Sequence, residues 1–212
     1  MAARNKNSLK NVSRRRVAVF MGGPSAEREI SLKTGAMVMK NLQRGKYSAQ
    51  AVVVDERGKW PLTKKQLKSH FDVVFIAMHG QYGEDGVLQT ILEKMRMPCT
   101  GSSAKASQLG MNKIQSAKVF QKAGLLTPDF ITDVKKMAKI GLPCVIKPAD
   151  SGSSVGVSIV KRYEQMTPAL KMALKASPKI MIEKYIPGRE LTCGVLEHGK
   201  NVGQYGHSFA YR

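Results

Sequence analysis

Short, almost uniformly apolar runs alternate with amphipathic segments along the first half of the chain. The runs are RVAVFMG at 16–22, QAVVVD at 50–55 and HFDVVFIAMHG at 70–80. Between and after them, apolar side chains recur at helical spacing from Ile30 to Leu42 and again in VLQTILEKM. Strands that are apolar on both faces and that alternate with helices are typical of a parallel sheet with helices on each side. We therefore predict an α/β unit built on such a sheet.

The pattern changes in the second half of the chain. A helical stretch from Ser102 to Gly124, with a break predicted near Gly110, precedes three short strand-like runs, CVIKP, VGVSIV and KIMIEKYI. The remainder is predicted to form two strands that turn at His198 and Gly199. Strands and helices in this less regular order indicate an α+β unit.

Length and pattern divide the chain into three predicted parts. Its 212 residues exceed the usual size of one domain, roughly 100 to 150 residues. We predict a disordered basic lead-in over 1–13, a Rossmann-like parallel-sheet domain over 14–101 and an α+β domain over 102–212.

Charge narrows the choice of ligand. The chain has 35 Lys and Arg against 15 Asp and Glu, a net charge of +20. Such an excess favours phosphorylated small molecules or polyanions as partners. Only 6% of the residues are aromatic, whereas proteins that bind single-stranded nucleic acid stack the bases on aromatic side chains. A basic nucleic-acid-binding module is therefore the weaker alternative.

The apolar stretches and the cysteines indicate the cellular compartment in which we expect the protein. No run approaches the roughly 20 apolar residues that a membrane helix needs, and no apolar signal segment follows the basic N-terminus. The three cysteines are odd in number and lack CxxC spacing, which is typical of reduced thiols. We expect a cytoplasmic protein with no membrane partner.

The stretch KPADSGSSVG at 147–156 has the composition of an anion-binding loop. Its two glycines let the backbone approach a ligand, and Ser153 and Ser154 add hydroxyl donors beside the charge of Lys147. It matches neither a Walker A loop nor a Rossmann fingerprint. Glycine-serine loops are often plain connectors, so from these residues alone both readings stay open.

Further polar residues extend this hypothesis. Lys113 supplies another cation, and Glu183 and Glu190 supply carboxylates that could accept from a ribose or an adenine amino group. The alternative is that these two carboxylates form surface ion pairs with Lys184 and Arg189.

Two residues of the first half are candidates for binding a small zwitterion. Glu27 follows a glycine turn and could bind an ammonium group, and His79 ends an apolar strand and could donate to a carboxylate or phosphate. Both lie at the carboxyl edge of the predicted sheet, where such sheets bind ligands. The alternative for His79 is that it caps backbone groups.

Five segments together carry a family resemblance over about residues 14–200. They are GGPSAEREISL, HGQYGEDGVLQ, TGSSAKASQLGMNK, VIKPADSGSSVGVSIV and IEKYIPGRELTCGVL. In this order they resemble the D-alanine:D-alanine ligase family of ATP-grasp enzymes. The resemblance implies a pre-ATP-grasp domain followed by a partial ATP-grasp domain. It also implies ATP-dependent ligation of two D-alanines through an acyl phosphate, for peptidoglycan precursors, with Mg²⁺ or Mn²⁺ as cofactor and a homodimer formed through the N-terminal domain.

The resemblance also implies a role for each matching residue. Glu27 and Ser153 would be catalytic, with Glu27 on the ammonium group of the first D-alanine and His79 beside its carboxylate. The ATP-binding residues would be Lys113, Lys147, Ser153, Ser154, Glu183, Lys184, Ile186 and Glu190, with the lysines on phosphates and Glu190 on the sugar hydroxyls.

The sequence departs from the family pattern at three places. Asn112 replaces a common aspartate, and Ser151 stands where many members have glutamate. Because serine there also occurs in depsipeptide-forming relatives, a D-lactate-type or other carboxylate-amine ligase remains the alternative. Members of the family also continue well beyond this length, and all 15 carboxylates here lie at or before Glu197. We therefore expect the metal ligands beyond Arg212, and little activity from this chain alone.

Overall fold

The computed structural model describes residues 14–198 and 201–211, with side chains described up to residue 195. The predicted lead-in over 1–13 lies outside the described residues. The helices and strands are, in chain order, β1 (Arg15–Gly22), α1 (Arg28–Asn41), β2 (Tyr47–Val54), α2 (Lys64–His70), β3 (Val73–Ile76), α3 (Val87–Lys94), α4 (Ala104–Met111), α5 (Lys113–Lys122), β4 (Phe130–Ile131), β5 (Cys144–Pro148), β6 (Ser158–Val160), α6 (Met166–Ala176), β7 (Ile180–Lys184), β8 (Glu190–His198) and β9 (Asn201–Tyr211). Short 3-10 helices occupy Val134–Lys139 and Tyr163–Gln165.

The first sheet is parallel, with the strand order β2-β1-β3, which confirms the predicted α/β unit. The central strand β1 buries both of its faces. Ala18 and Phe20 belong to the core on one side, and Val17, Val19 and Met21 belong to the core on the other. This is why its sequence is apolar without alternation.

The strand predicted at 70–80 is shorter in the structure, where β3 ends at Ile76. The amide of Ala77 still donates to the Phe20 carbonyl at 2.9 Å, and from His79 onward side chains take the place of backbone partners. The amide of His79 donates to Ser31 Oγ at 2.9 Å, and the amide of Gly80 donates to Glu84 Oε2 at 2.7 Å. The strand therefore ends before the apolar run does, and the last residues of the run lie just beyond the carboxyl end of β3.

The second sheet is antiparallel, with the order β4-β7-β5-β6, and α6 packs on it. Its core is a separate cluster that includes Ile146, Val160 and Ile182. The predicted strand VGVSIV is paired over Ser158–Val160, because the residues before it belong to the turn of the serine loop. This arrangement agrees with the α+β prediction.

The predicted break in the helical stretch at 102–124 occurs at Asn112, slightly after Gly110. Asn112 has a non-helical ψ of 98°, and its side chain accepts from the amide of Gln115 at 3.0 Å, so it caps α5. The predicted terminal hairpin is present as the antiparallel pair β8 and β9. Along the described part of the chain, no helix is long and apolar enough to cross a membrane.

Candidate active site

The turns that follow β1 and β3 meet at the carboxyl edge of the parallel sheet. Glu27 occupies the N-cap position of α1, and its carboxylate lies against the backbone of Gly80. A Cβ atom at Gly80 would lie 2.5 Å from Glu27 Oε2 and still closer to Ser25 Oγ. Gly80 also has a φ of 69°, a conformation that favours glycine. The close approach therefore requires glycine at this position.

His79 is held at both ring nitrogens. Its Nε2 lies 2.8 Å from Thr34 Oγ1, and its Nδ1 lies 3.6 Å from Glu84 Oε1. The ring thus contacts side chains, so the alternative in which His79 caps backbone groups is wrong; its own amide is the group that is capped, by Ser31. The ring lines a cavity of about 590 Å³, named here the His79 cavity.

A second cavity, of about 480 Å³, lies beside strands β5 and β7 and is named here the β5–β7 cavity. All eight residues predicted for the ATP site line it. They are Lys113, Lys147, Ser153, Ser154, Glu183, Lys184, Ile186 and Glu190. The described residues that the sequence selected from separate segments are therefore brought to one cleft by the fold.

Lys147 and Glu183, which both line this cavity, form an ion pair. In the strand register Lys147 faces Met181 and Val145 faces Glu183, so the two charged residues are diagonal neighbours on paired strands. Nζ and Oε1 are 2.5 Å apart, and the side chains are 19% and 14% exposed. Among the side chains that the structure describes, Glu183 has this partner and not the predicted Lys184. That alternative is wrong because a residue on the facing strand is closer than a sequence neighbour.

The predicted pairing of Glu190 with Arg189 is also absent from the described ion pairs. Glu190 opens strand β8 and lines the β5–β7 cavity instead.

Lys113 connects helix α5 to the loop beside the cavity. Its amide donates to the carbonyl of Ala149 at 2.8 Å, and its ammonium group donates to the carbonyl of Ser151. Burial, and next the nearby Lys147 ammonium, lower the pKa of Lys113, while Asp150 and Glu183 oppose the shift. Although Glu183 pairs with Lys147, the repulsion between the two ammonium groups remains, and an anionic ligand beside Lys113 would relieve it.

The serine loop, residues 149–157, has an unusual backbone. Ser153 and Ser154 have φ values of 51° and 56°, in the left-handed region that serine rarely adopts. Each such residue costs about 1–3 kcal/mol and persists when the surroundings hold it. One of the contacts that hold it reaches the other half of the molecule, because Ser153 Oγ donates to Glu27 Oε1.

The serine loop also separates three cavities. Ser151 and Gly152 line the β5–β7 cavity, the His79 cavity and a cavity of about 620 Å³ that contains Glu27 and is named here the Glu27 cavity. Ser153 lines both the Glu27 cavity and the β5–β7 cavity. The loop thus places the two predicted catalytic residues, Glu27 and Ser153, in contact between the candidate sites.

Two family models match almost the whole described chain. The model described as D-ala D-ala ligase N-terminus matches residues 16–69 and 61–102, and the model described as D-ala D-ala ligase C-terminus matches residues 108–208. The chain belongs to the D-alanine–D-alanine ligase family.

Curated relatives agree with this assignment of family. The chain is 42% identical over 189 residues to the D-alanine--D-alanine ligase of Geotalea uraniireducens, a match that covers 86% of this chain and 60% of the relative. It is 43% identical over 187 residues to the D-alanine--D-alanine ligase of Thermotoga maritima, covering 87% of this chain and 60% of the relative. The chain thus spans about 60% of the length of these members of the family.

Solved structures of the family have the same fold. The D-alanine--D-alanine ligase from Bacillus anthracis complexed with ATP is 33% identical, with a TM-score of 0.72, covering 84% of this chain and 62% of that chain. The D-Ala:D-Ser ligase VanG from Enterococcus faecalis is 25% identical, with a TM-score of 0.80, covering 90% of this chain and 68% of that chain. Together they confirm the predicted α/β architecture with an ATP-grasp fold.

Several residues of this site in the family member described here were missed by sequence reasoning. Thr34 lies in the helical stretch predicted from Ile30 to Leu42 and contacts His79. Glu84 lies in the segment HGQYGEDGVLQ and holds both Gly80 and His79. Neither contact is predicted by the sequence patterns. A usable signal existed for the helix, because Ser31 and Thr34 are hydroxyl residues three positions apart and therefore share one face.

Potential metal-ligating side chains are spread out in the described part of the chain. Within residues 14–195, no three His, Cys, Asp or Glu side chains are grouped so that they could hold an ion together. Mg²⁺ beside a nucleotide is usually held by one or two carboxylates together with phosphate oxygens, so this observation bears only on a site made of protein side chains alone. The cofactor expectation for the family stays a prediction.

Proposed function

We propose that this chain forms the nucleotide-binding and first-substrate side of an ATP-dependent ligase that joins two D-alanines for peptidoglycan precursors. One observation carries the proposal: eight residues from separate segments line a single cavity, and the loop above it contacts Glu27. The names of the curated relatives and the ATP complex of the Bacillus anthracis enzyme support the choice of substrate and nucleotide.

The β5–β7 cavity has the size and the donors for a nucleotide. Its volume of about 480 Å³ lies within the usual range of ligand cavities, about 300–1,000 Å³. Lys113 and Lys147 would neutralise the phosphates, and the amides and hydroxyls of the serine loop would donate to them. Glu183 and Glu190 would accept from the adenine amino group and the ribose hydroxyls.

Glu27 and His79 would orient the first D-alanine. Glu27 would accept from the ammonium group, and His79, whose ring is fixed by Thr34 and Glu84, would lie beside the carboxylate. That carboxylate oxygen would then bond to the γ-phosphorus as ADP leaves, giving an acyl phosphate. The neutral amine of the second substrate would attack the carbonyl carbon, the bond from that carbon to the phosphate oxygen would break, and the amine proton would leave with the phosphate as hydrogen phosphate. The contribution of these side chains is position and charge neutralisation.

An alternative function is a ligase that joins D-alanine to a second substrate other than D-alanine. One solved relative is a D-Ala:D-Ser ligase, and Ser151 occupies a position where the resemblance leaves a D-lactate-type enzyme open. The first half-reaction would be the same in either case. Product analysis with D-alanine, D-serine and D-lactate as competing acceptors separates these functions.

The nucleotide site is tested by calorimetric titration of the 212-residue chain with magnesium and AMP-PNP, a non-hydrolysable ATP analogue. Lys147→Ala removes a phosphate partner and leaves Glu183 unpaired, so we expect at least a roughly tenfold weaker affinity. Lys171→Ala, an exposed lysine on α6, is the matched control and should stay within about twofold. Equal affinities for wild type and Lys147→Ala would exclude this site.

Turnover is measured separately, as D-alanine-dependent phosphate release. We expect little from this chain alone, which stays a prediction until that assay is made. The cytoplasmic location and the homodimer through the N-terminal domain also stay predictions.

A further inference from the structure

Tyr82 has a backbone conformation that a bulky residue rarely adopts. It lies in the loop between His79 and Gly86, named here the histidine loop, and its φ is 73°. A left-handed aromatic residue is a true outlier, so the contacts around it must hold it there. Such strain is often found where a loop must present groups to a ligand.

Trp60 is the residue that holds the Tyr82 side chain. The indole Nε1–H donates to the Tyr82 hydroxyl at 2.9 Å, and the indole ring packs edge-to-face on Phe20 with centroids 5.1 Å apart. Phe20 is fully buried in the central strand β1. Because an indole nitrogen is only a donor, the Tyr82 oxygen must accept, which fixes the direction of this bond.

The held loop carries the groups that face the proposed substrate. The Tyr82 amide donates to Asp85 Oδ2 at 2.8 Å, and the Glu84 amide donates to the Gly80 carbonyl at 2.9 Å. Glu84 then reaches back to the Gly80 amide and to the His79 ring. Tyr82 and Glu84 are two residues apart in this loop, so the backbone conformation of Tyr82 is linked to the position of the Glu84 carboxylate that contacts the His79 ring.

We propose that Trp60 is a positioning residue for the first-substrate site, acting through Tyr82 and Glu84 on His79. Trp60 lines neither the His79 cavity nor the Glu27 cavity, so it acts without touching the substrate. The inference rests on the proposed function for its effect on D-alanine binding. Its effect on the ring of His79 is independent of any ligand.

Two conservative variants test the contact. Trp60→Phe keeps an aromatic ring against Phe20 but removes the donor, and Tyr82→Phe removes the acceptor. In the ligand-free chain, both should shift the imidazole ¹⁵N signals of His79, because the contact with Glu84 changes. The signals of His70 should stay unchanged. Tyr163→Phe, at a tyrosine that is 67% exposed, is the matched control.

Trp60→Phe and Tyr82→Phe should weaken the binding of D-alanine more than the binding of AMP-PNP. The dissociation constant for D-alanine should rise roughly fivefold, the effect of losing one hydrogen bond, while that for AMP-PNP stays within about twofold. The double variant should resemble each single one, because both remove the same interaction. A general loss of stability would weaken both ligands together.

Two outcomes would contradict the proposed role of Trp60, and a third would contradict only the proposed substrate. His79 signals that stay in place in both folded variants would overturn the positioning role of Trp60, as would equal effects on D-alanine and AMP-PNP. If wild type bound AMP-PNP but no D-alanine, the proposed substrate would be wrong, and the His79 signals would still decide the role of Trp60.

Discussion

The histidine loop and the serine loop border the same site but are held in different ways. The histidine loop has short internal bonds, Glu84 to Gly80 in both directions and Tyr82 to Asp85, at 2.7–2.9 Å, in addition to its contacts with Trp60, Ser31 and Thr34. The internal bonds of the serine loop are longer, 3.2–3.3 Å.

The serine loop depends instead on residues outside it. Lys113 donates to the Ser151 carbonyl, and Glu27 accepts from Ser153. Both of these outside residues are proposed ligand-binding groups, so a bound ligand would compete for them. We therefore expect the histidine loop to keep its conformation and the serine loop to exchange partners when ligands bind.

Gly80→Ala should distort the histidine loop and have the largest effect. The new Cβ would meet Glu27 Oε2 at 2.5 Å and would also be strained by the positive φ. We expect a loss of about 3 kcal/mol of unfolding free energy, from strain and overpacking together, measured by urea denaturation.

The control for this variant is Gly141→Ala. Gly141 has a similar φ of 71°, but its Cβ would meet nothing within 4 Å. It should lose only the strain component, about 1–2 kcal/mol. Equal losses for the two variants would show that the contact with Glu27 is not tight.

Ser153→Ala should loosen the serine loop with a smaller effect. Removing the hydroxyl deletes the bond to Glu27, worth about 1 kcal/mol at this exposed position. Hydrogen exchange of the amides at 151–157 should therefore speed up about fivefold, while exchange at 80–86 stays the same.

Ser154→Ala is the matched control for that experiment, since the loop bond to Glu27 comes from Ser153. If both loops exchanged faster in Ser153→Ala, the histidine loop would not be held independently of the serine loop and the comparison would fail.

The smallest expected effect is the uptake of a fraction of a proton by Lys113 when the nucleotide binds. The pKa of Lys113 is lowered in the folded chain, so the unfolded chain holds the proton more tightly, and stability from this group rises with pH between the two pKa values. An anion would raise the pKa of Lys113 again. Nucleotide binding at alkaline pH should then take up a fraction of a proton, measured by calorimetry in buffers of different ionisation enthalpy.

Lys113→Arg should abolish that uptake, because the guanidinium group stays charged throughout the range. Uptake that persisted in Lys113→Arg would assign the proton to another group.

The fold was largely predictable from local patterns, with errors where long-range contacts intervene. The apolar run of β1 and the helical spacing of α1 predicted their elements because burial on two faces or one leaves a direct trace in the sequence. The extent of β3 was overestimated, since Ser31 and Glu84 capture the amides after it. A local sequence pattern does not predict that a side chain from another segment will accept from these amides.

For the candidate site, too, the sequence predicted some features and left others to the tertiary structure. The sequence by itself determined which lysines, serines and carboxylates to consider, because five segments in a family order select them. The fold brings the residues predicted to bind ATP to one cavity. Their individual roles stay predictions.

Only the tertiary structure decided the partners of three side chains: Lys147 for Glu183, Thr34 for His79 and Trp60 for Tyr82. Each of these pairs joins residues distant in the sequence. The physical reason is that a charge or hydroxyl group bonds whichever group the packed elements bring within about 3 Å, and that distance is set by sheet register and loop closure.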